Sequence, residues 1–307
     1  FFRIFTLLAV VFLGFFNFAM MLMEDNFGLW FAKSVSSNIP YLNLLLLNTG
    51  QAVVAVFLSS EFLKRDKKLD TSEVFYVRPL SNAEYVIGKI WGNLRVFLLL
   101  NLLVLAIVLA FNFMASGITV DWQAYGVYFL LISLPTLIFI IGLSIFLMLV
   151  LRNQALTFIL LLGYIGLTLF YIQDKFYYLF DYMVYNLPLF KSTIVGFSSL
   201  ELILNHRAIY FFAGLGFIFF TIFLFKRLPN ARRSHYPWLF LSLCMFLLAG
   251  TAGYRHVRSI LREGEIRALY TSINNKYVHE PKIAIDWYDI SVEQKPETIC
   301  SVVTRGG

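Results

Sequence analysis

The chain has 307 residues, of which 59% are hydrophobic and 18% aromatic, while only 14% are charged. Soluble domains carry about 25% charged residues, so this composition, with a mean hydropathy of +0.74, excludes an ordinary soluble protein. The net charge of +7 does not indicate nucleic-acid binding, because the basic residues cluster beside apolar segments, where Lys and Arg contact anionic lipid and set orientation. A polytopic membrane protein is predicted.

Seven segments are long and apolar enough to cross a bilayer, whose hydrocarbon core of about 30 Å takes about 20 residues of helix. In chain order they are residues 4–23, 38–60, 91–113, 125–151, 154–172, 208–225 and 236–253. The first segment lacks the cleavage site of a signal peptide, so a membrane helix is predicted there as well. Pro135 is expected to kink the fourth span. The predicted fold class is an all-α polytopic membrane protein with six spans followed by a seventh.

Basic residues in the loops favour a cytoplasmic N-terminus, because cytoplasmic loops are enriched in Lys and Arg. With that orientation the cytoplasmic side carries Arg3, Lys64, Arg65, Lys67, Lys68, Arg78, Lys89, Arg152, Lys226, Arg227, Arg232 and Arg233. The opposite side carries, before the tail, only Lys33, Lys175, Lys191 and Arg207. We place the tail after the seventh span outside, since long translocated segments are largely exempt from this rule.

A strongly polar stretch, KRDKKLDTSEVFYVRPLSNAEYVIGK at residues 64–89, separates the second and third spans. It contains two helix-start patterns. Asp70 with Glu73, and Ser81 with Glu84, are spaced as in a capping box, where two residues three apart satisfy each other's backbone N–H groups. Two helices are therefore predicted to begin inside the stretch.

Pro79 separates these helices, because proline disfavours helical geometry at the residue before it. We predict a short helix over about residues 71–77 and a second helix that runs from about residue 82 into the third span. So short a helix is marginal alone in water, and needs a partner surface. Its candidate contact residues are Thr71, Ser72, Glu73, Val74, Phe75, Tyr76, Val77 and Arg78. From the residues alone, a basic loop lying on anionic headgroups is the alternative.

The run SSEFLKRDKKLDTSEVFYVRPLSNAEYVIGKIWG resembles the loop between the second and third spans of ABC transporter permeases of the type-2 exporter class. That class carries an acidic residue near the end of the second helix, a basic stretch, a short coupling helix, a Pro-Leu-Ser break, and a Tyr-Val-apolar-Gly-Lys entry into the third helix. The matching positions here are Glu61 and residues 64–68, 71–77, 79–81 and 85–89. The resemblance in span order covers residues 1–228.

The resemblance implies a six-helix exporter core that acts as the permease subunit of an ATP-driven exporter in a bacterial inner membrane. Residues 71–78 would dock on a cytosolic ATPase subunit, which would hold ATP and Mg, while this chain would bind no cofactor. A second permease subunit, identical or different, would complete the transporter. The class also has an amphipathic helix on the inner surface before the first span, which is absent from this sequence.

A seventh span, within residues 229–254, and a polar tail at 255–307 depart from the six-helix plan. They resemble large permeases of Bacteroidota-like bacteria that carry an added extracytoplasmic β domain. Residues 255–270 predict an amphipathic helix interrupted by Gly264. KIAIDWYDISV and TICSVV, separated by QKPE, predict two strands and a turn. Since two strands alone are barely stable, and the chain opens with Phe1 and stops in mid-pattern, we expect both ends to continue in a longer polypeptide.

No catalytic set is evident in the sequence. A phosphate-binding loop needs GxxxxGK[ST], and Gly88-Lys89 has neither the preceding Gly nor the following Ser or Thr. The histidines are predicted in loops or the tail, outside the spans: His206, His235, His256 and His279. Two isolated cysteines, Cys244 and Cys300, define no metal site. We predict no catalytic residue and no metal ligand. The rival functions are a membrane anchor for an extracytoplasmic complex and, less favoured, an intramembrane enzyme.

Polar residues inside the spans either line a central cavity or hydrogen-bond between helices, and the second use is the commoner one. The candidates for a cavity are Asn43, Asn48, Gln51, Asn93 and Asn101.

Residues 173–207 are too polar at intervals to span and too apolar for a solvated loop. They predict short helices in the membrane interface, with tyrosines at headgroup depth. In the type-2 class the loop before the last core span forms re-entrant helices near the exit of the pathway, which implies a candidate outer gate at Tyr177, Tyr178, Tyr182 and Tyr185. An aromatic belt without a gating role is the alternative.

Overall fold

A computed structural model of the chain describes residues 2–22, 37–60, 81–114, 120–172, 175–185, 187, 189, 191, 196–197, 200–225, 236–278, 287–294 and 299–306. The predicted docking helix with its contact residues Thr71 to Arg78, and the cap Asp70, lie outside these described residues.

Apolar helices make up most of the described chain. They are α1 (Phe2–Leu22), α2 (Asn38–Ser60), α3 (Asn82–Met114), α4 (Trp122–Tyr128), α5 (Leu134–Leu151), α6 (Gln154–Leu167), α7 (Leu200–Leu224) and α8 (Tyr236–Tyr277). One π-helical turn, Phe129–Ser133, joins α4 to α5, and another, Thr168–Ile172, ends α6.

Six helical segments of the described chain are long and apolar enough to cross a membrane. They are Asn38–Ser59, Asn82–Met114, Trp122–Leu151, Gln154–Ile172, Leu200–Leu224 and Tyr236–Tyr277. The described apolar part of α1, Arg3–Ala19, is shorter, and the first of the seven predicted spans stays a prediction. Over these segments the chain is an all-α, multi-pass membrane protein.

Three predictions about the last two helices were wrong. We predicted a span from residue 208, but α7 begins eight residues earlier at Leu200. His206 and Arg207 therefore lie inside a spanning helix rather than in a loop, and both are buried. His256, predicted in the tail, is likewise buried within α8, and that helix continues through Gly264 without interruption.

The chain divides into two compact units, Phe1–Ser259 and Ile260–Gly307. The second contains the end of α8 and two strands, β1 (Trp287–Gln294) and β2 (Ile299–Gly306). The strands pair antiparallel, with Trp287 opposite Gly306 and Gln294 opposite Ile299. The rest of the tail that the sequence assigns to a β domain lies outside the described residues.

The core of the first unit depends on a close approach between α5 and α7. A Cβ atom added to Gly214 would lie 2.7 Å from the backbone nitrogen of Phe139, and one added to Gly142 would lie 2.7 Å from the carbonyl oxygen of Gly214. Lipid tails are as apolar as the side chains, so the hydrophobic effect does not drive membrane helices together. They associate through close packing, which small residues permit. The two glycines therefore fix α7 against α5.

Gly214→Ala should destabilise the protein by about 1–3 kcal/mol, because the added methyl group meets backbone that cannot move aside. Thermal unfolding of the purified protein in detergent measures this change. Gly163→Ala is the matched control, since a Cβ at Gly163 meets nothing within 4 Å and both substitutions carry the same gain in helix propensity. Equal stability of the two variants would contradict the packing role.

Candidate functional site

The site begins with a defect that Pro135 introduces into the helix backbone. Proline has no N–H group, so it cannot donate to the carbonyl four residues earlier, which belongs to Leu131. Just before Pro135 the chain widens into the π-helical turn Phe129–Ser133. Turns of this kind occur where the helical hydrogen-bond ladder is interrupted, and they are frequent at functional sites. The carbonyl of Leu131 in the fourth span thus lacks its usual helical donor.

The guanidinium group of Arg207, on α7, contacts the carbonyl of Leu131 and three further oxygen atoms. Its Nε donates to Leu131 O at 2.6 Å, and its Nη2 contacts Ile132 O at 3.4 Å and Thr136 Oγ1 at 2.8 Å. Its Nη1 donates to Tyr182 O at 2.9 Å. Only 2% of the residue is exposed, and a buried charge is tolerated only when its donors are paired. All three nitrogens of the group have an acceptor.

A second set of carbonyls, in the segment between α6 and α7, is held in the same way. His256 Nε2 lies 2.9 Å from Tyr177 O, and His206 Nε2 lies 3.0 Å from Tyr178 O. A carbonyl oxygen only accepts, so in this arrangement each Nε2 carries the hydrogen.

The Tyr210 hydroxyl completes this set by donating to Leu179 O. We refer to His206, Arg207, Tyr210 and His256 as the carbonyl clamp.

The clamp holds backbone in an unfavourable conformation. Phe176, Tyr177, Tyr178 and Val184 have positive φ angles of 53°, 59°, 61° and 65°. A non-glycine residue in this left-handed region costs of order 1–3 kcal/mol, and persists only where the surrounding structure fixes it. Such strain is typical of ligand clamps and switch regions. The chain between α6 and α7, described at residues 175–185, 187, 189, 191 and 196–197, is called the α6–α7 segment. It is therefore a candidate moving part.

The four tyrosines of the candidate gate have different environments. Tyr182 is fully buried and stacks on Tyr164, with ring centroids 5.4 Å apart. Burial raises the pKa of the Tyr182 hydroxyl, and the neighbouring Tyr164 and Asp181 add to the rise. Tyr177 and Tyr185 are exposed and Tyr178 is half-buried. The structure brings three of these residues to the clamp through their backbone carbonyls rather than their rings.

Lys191, later in the same segment, contacts α4 and also Ser37, which lies directly before α2. Its Nζ lies 2.7 Å from Asp121 Oδ2 and donates to Gln123 Oε1 at 2.9 Å. Its backbone N–H donates to the Tyr128 hydroxyl at 2.8 Å, while its carbonyl accepts from Ser37 Oγ at 2.7 Å. Both the clamp and this ion pair therefore hold the α6–α7 segment against the bundle.

Four of the five polar residues predicted as cavity lining take part in hydrogen bonds between helices. Gln51 donates to Asn48 at 2.5 Å, Asn101 to Gln51 at 2.8 Å, Ser133 to Asn101 at 2.7 Å, and Asn48 to Ser133 at 3.2 Å. The four fully buried side chains thus close a ring between α2, α3 and the π-helical turn. Asn43 pairs with Asn17 of α1, and Asn93 is partly exposed.

At its other end, α7 is attached to the stem, which is the first part of α3 from Asn82 and lies within the end of the polar stretch. Ser81 N–H donates to Glu84 Oε2 at 2.7 Å and Glu84 N–H donates to Ser81 Oγ at 3.2 Å, which are both bonds of a capping box. Asn82 Nδ2 then donates to the carbonyl of Phe225 at 2.7 Å, directly after the end of α7. The Tyr85 and Phe225 rings stack with centroids 5.4 Å apart.

Sequence reasoning identified the α6–α7 segment and the stem but missed the clamp. The available signal was the set His206, Arg207 and Tyr210, which places polar groups one helical turn apart beside a run of apolar residues. Within the described residues, no group of three or more His, Cys, Asp or Glu side chains is placed to hold a metal ion.

Comparison with protein-family models, with curated proteins and with solved structures finds no match for this chain. Its function has to be inferred from its own residues.

Arg207→Met should destabilise the protein by about 1–3 kcal/mol, because it leaves buried carbonyls without donors. The cost should be smaller in a Pro135→Ala background, since alanine restores an N–H group for Leu131 O. Chemical denaturation of the four proteins of this double-mutant cycle gives the coupling. Arg255→Met, at an exposed position, is the control. An equal cost of Arg207→Met in both backgrounds would show that Arg207 does not act on the carbonyl that Pro135 leaves free.

Proposed function

We propose that this chain is the transmembrane permease subunit of an ATP-driven type-2 ABC exporter in a bacterial inner membrane. The observation that carries the proposal is the polar stretch at residues 64–89, with its basic run, its two capping patterns and its proline break between two spans. ATP hydrolysis takes place on a partner ATPase subunit, because this sequence has no phosphate-binding loop. A second permease subunit forms the other half of the transport pathway.

The attachment of α7 to the stem supports this function. The proposed docking residues 71–78 shortly precede Asn82 and Tyr85 in the sequence, and both of these contact Phe225, directly after α7. α7 has 25 residues and is therefore about 37 Å long, enough to cross the hydrocarbon core. Because Gly142 and Gly214 allow its backbone to touch α5, it moves as a packed unit. The stem and the clamp are thus attached to opposite parts of one rigid helix.

The clamp supports a gating role for the α6–α7 segment. With the N-terminus in the cytoplasm, the stem faces the ATPase and the clamp lies towards the outer side. A shift of α7 that lengthens the hydrogen bonds of His206, Arg207 and Tyr210 releases the strained backbone at residues 176–178. ATP binding would thereby open the outer end, and hydrolysis would let the clamp form again.

The buried ionisable groups favour gating over catalysis. His206, Arg207 and His256 all bond to backbone carbonyl oxygens. Carbonyl partners fix backbone position, whereas a general base or nucleophile needs a proton-transfer partner within reach of a substrate.

Phe75→Ala and Arg78→Glu should leave membrane insertion intact and abolish ATPase-driven transport, because residues 71–78 form the docking surface in this proposal. The measurement is ATPase co-purification and ATP-dependent transport in membrane vesicles. Trp91→Ala, an exposed position on α3, is the control and should behave as the unsubstituted protein.

Failure of any ATPase subunit to co-purify from the native host would overturn the proposal. Activity that survives both substitutions but disappears when residues 254–307 are removed would instead favour the membrane anchor, whose working part is the tail.

Asn82→Ala and Tyr85→Ala test the link between the stem and α7. Both should retain the ATPase subunit and lower transport per ATP by about 2-fold to 30-fold, the effect of losing about 0.5–2 kcal/mol of coupling. Ile87→Ala is the matched control, because this exposed side chain follows within the next turn of α3. If all three variants transport equally well per ATP, the force does not pass through Phe225.

A further inference from the structure

A lateral groove of 720 Å³ lies between α5, α6, α7 and α8, beneath Leu179 and Phe180 of the α6–α7 segment. Its walls are apolar side chains and small residues, among them Phe139, Phe217, Phe246 and Gly250. A Cβ atom added to Gly250 would meet nothing within 4 Å, so this glycine borders open space rather than a packed contact. Nothing in the transport proposal uses this groove.

The length of the groove matches one leaflet of a bilayer. Its lining on α8 runs from Phe246 to Val257, which is about 16 Å at 1.5 Å per residue. Half of a hydrocarbon core of about 30 Å is about 15 Å. The lining residues of α5, α6 and α7 belong to membrane-spanning segments as well. Apolar space at this depth is filled by hydrocarbon, because water finds no polar partners there.

The mouth of the groove is suited to an anionic headgroup. Tyr254 lines it and is 66% exposed, and an exposed tyrosine is favoured where an apolar surface meets water. Arg258 is exposed one turn further along the same edge of α8. The sequence has no Asp or Glu between residues 236 and 262, so no carboxylate of this stretch neutralises the arginine.

We propose that this groove binds one acyl chain of an anionic phospholipid, whose phosphate contacts Arg258 beside Tyr254. The chain fills the space along Gly250 and Ala213 and packs against the ring of Tyr210. Since Tyr210 also holds Leu179 O, the bound lipid stabilises the clamp. This proposal does not depend on the identity of the ATPase partner or of a transported substrate.

The test uses the full chain in phosphatidylcholine nanodiscs that contain a trace of phosphatidylglycerol with a photoreactive acyl chain. Cross-linked peptides should map to residues 246–257 and 209–217. Gly250→Phe should lower the yield at these peptides by at least about tenfold, because the ring displaces two or more buried methylene groups at about 0.8 kcal/mol each. Gly163→Phe is the matched control, since Gly163 also lies in a span and faces open space.

The headgroup is tested with Arg258→Gln, which should lower the yield with phosphatidylglycerol by about fivefold, corresponding to about 1 kcal/mol for one basic residue at the surface. A photoreactive phosphatidylcholine probe should lose less of its yield, because its choline cation offsets the charge of its phosphate. Arg95→Gln is the control, because Arg95 is exposed on α3 and that helix contributes no residue to the groove.

Three results would overturn the proposal. Labelling spread evenly over all lipid-facing helices would show annular lipid only. An unchanged yield in Gly250→Phe, with thermal stability also unchanged, would show that the chain lies elsewhere. Absence of labelling together with cross-links between two copies at Tyr254→Cys would show that a second copy of this chain covers the groove.

Discussion

The bundle depends on one buried cation and the carbonyls that surround it. Pro135 removes a backbone donor in the middle of a span, and a lipid-exposed carbonyl at that depth would cost several kcal/mol. Arg207 repairs the defect from a different helix, and its remaining donors hold Tyr182 O. Neither residue is favourable alone, because a guanidinium in hydrocarbon is itself costly. Together they fix α7, the π-helical turn and the α6–α7 segment in a single arrangement.

This arrangement gives α7 a different role at each end. Directly after one end, the backbone carbonyl of Phe225 accepts from Asn82 of the stem. Near the other end its side chains hold backbone in left-handed conformations that non-glycine residues avoid. Strain that is fixed by a few hydrogen bonds is released when those bonds lengthen, since the protein interior is close-packed and shifts between discrete states. In the proposed mechanism, a small axial movement of α7 would therefore release the segment.

How much the sequence could predict follows from where each signal lies. Spans are visible because hydropathy acts on about 20 consecutive residues, and the Ser81–Glu84 cap is visible because both partners lie three residues apart. The start of α7 was missed because His206 and Arg207 look like loop residues, until carbonyls from two other segments compensate for their polarity. The ring of Asn48, Gln51, Asn101 and Ser133 combines three elements, and no local pattern encodes which helices meet.

Tyr210 belongs to both the groove and the clamp. The proposed lipid site is therefore linked to the strained backbone that the clamp holds. Tyr210 lines the groove, and its hydroxyl donates to Leu179 O, so this one residue contacts both. An acyl chain that packs against the ring favours the rotamer in which the hydroxyl reaches the carbonyl, and a ligand shifts an equilibrium by its differential affinity for the two states. By the same linkage, a movement of α7 that breaks the clamp weakens the lipid site. Taken together, the two proposals make lipid binding and opening of the α6–α7 segment opposed processes.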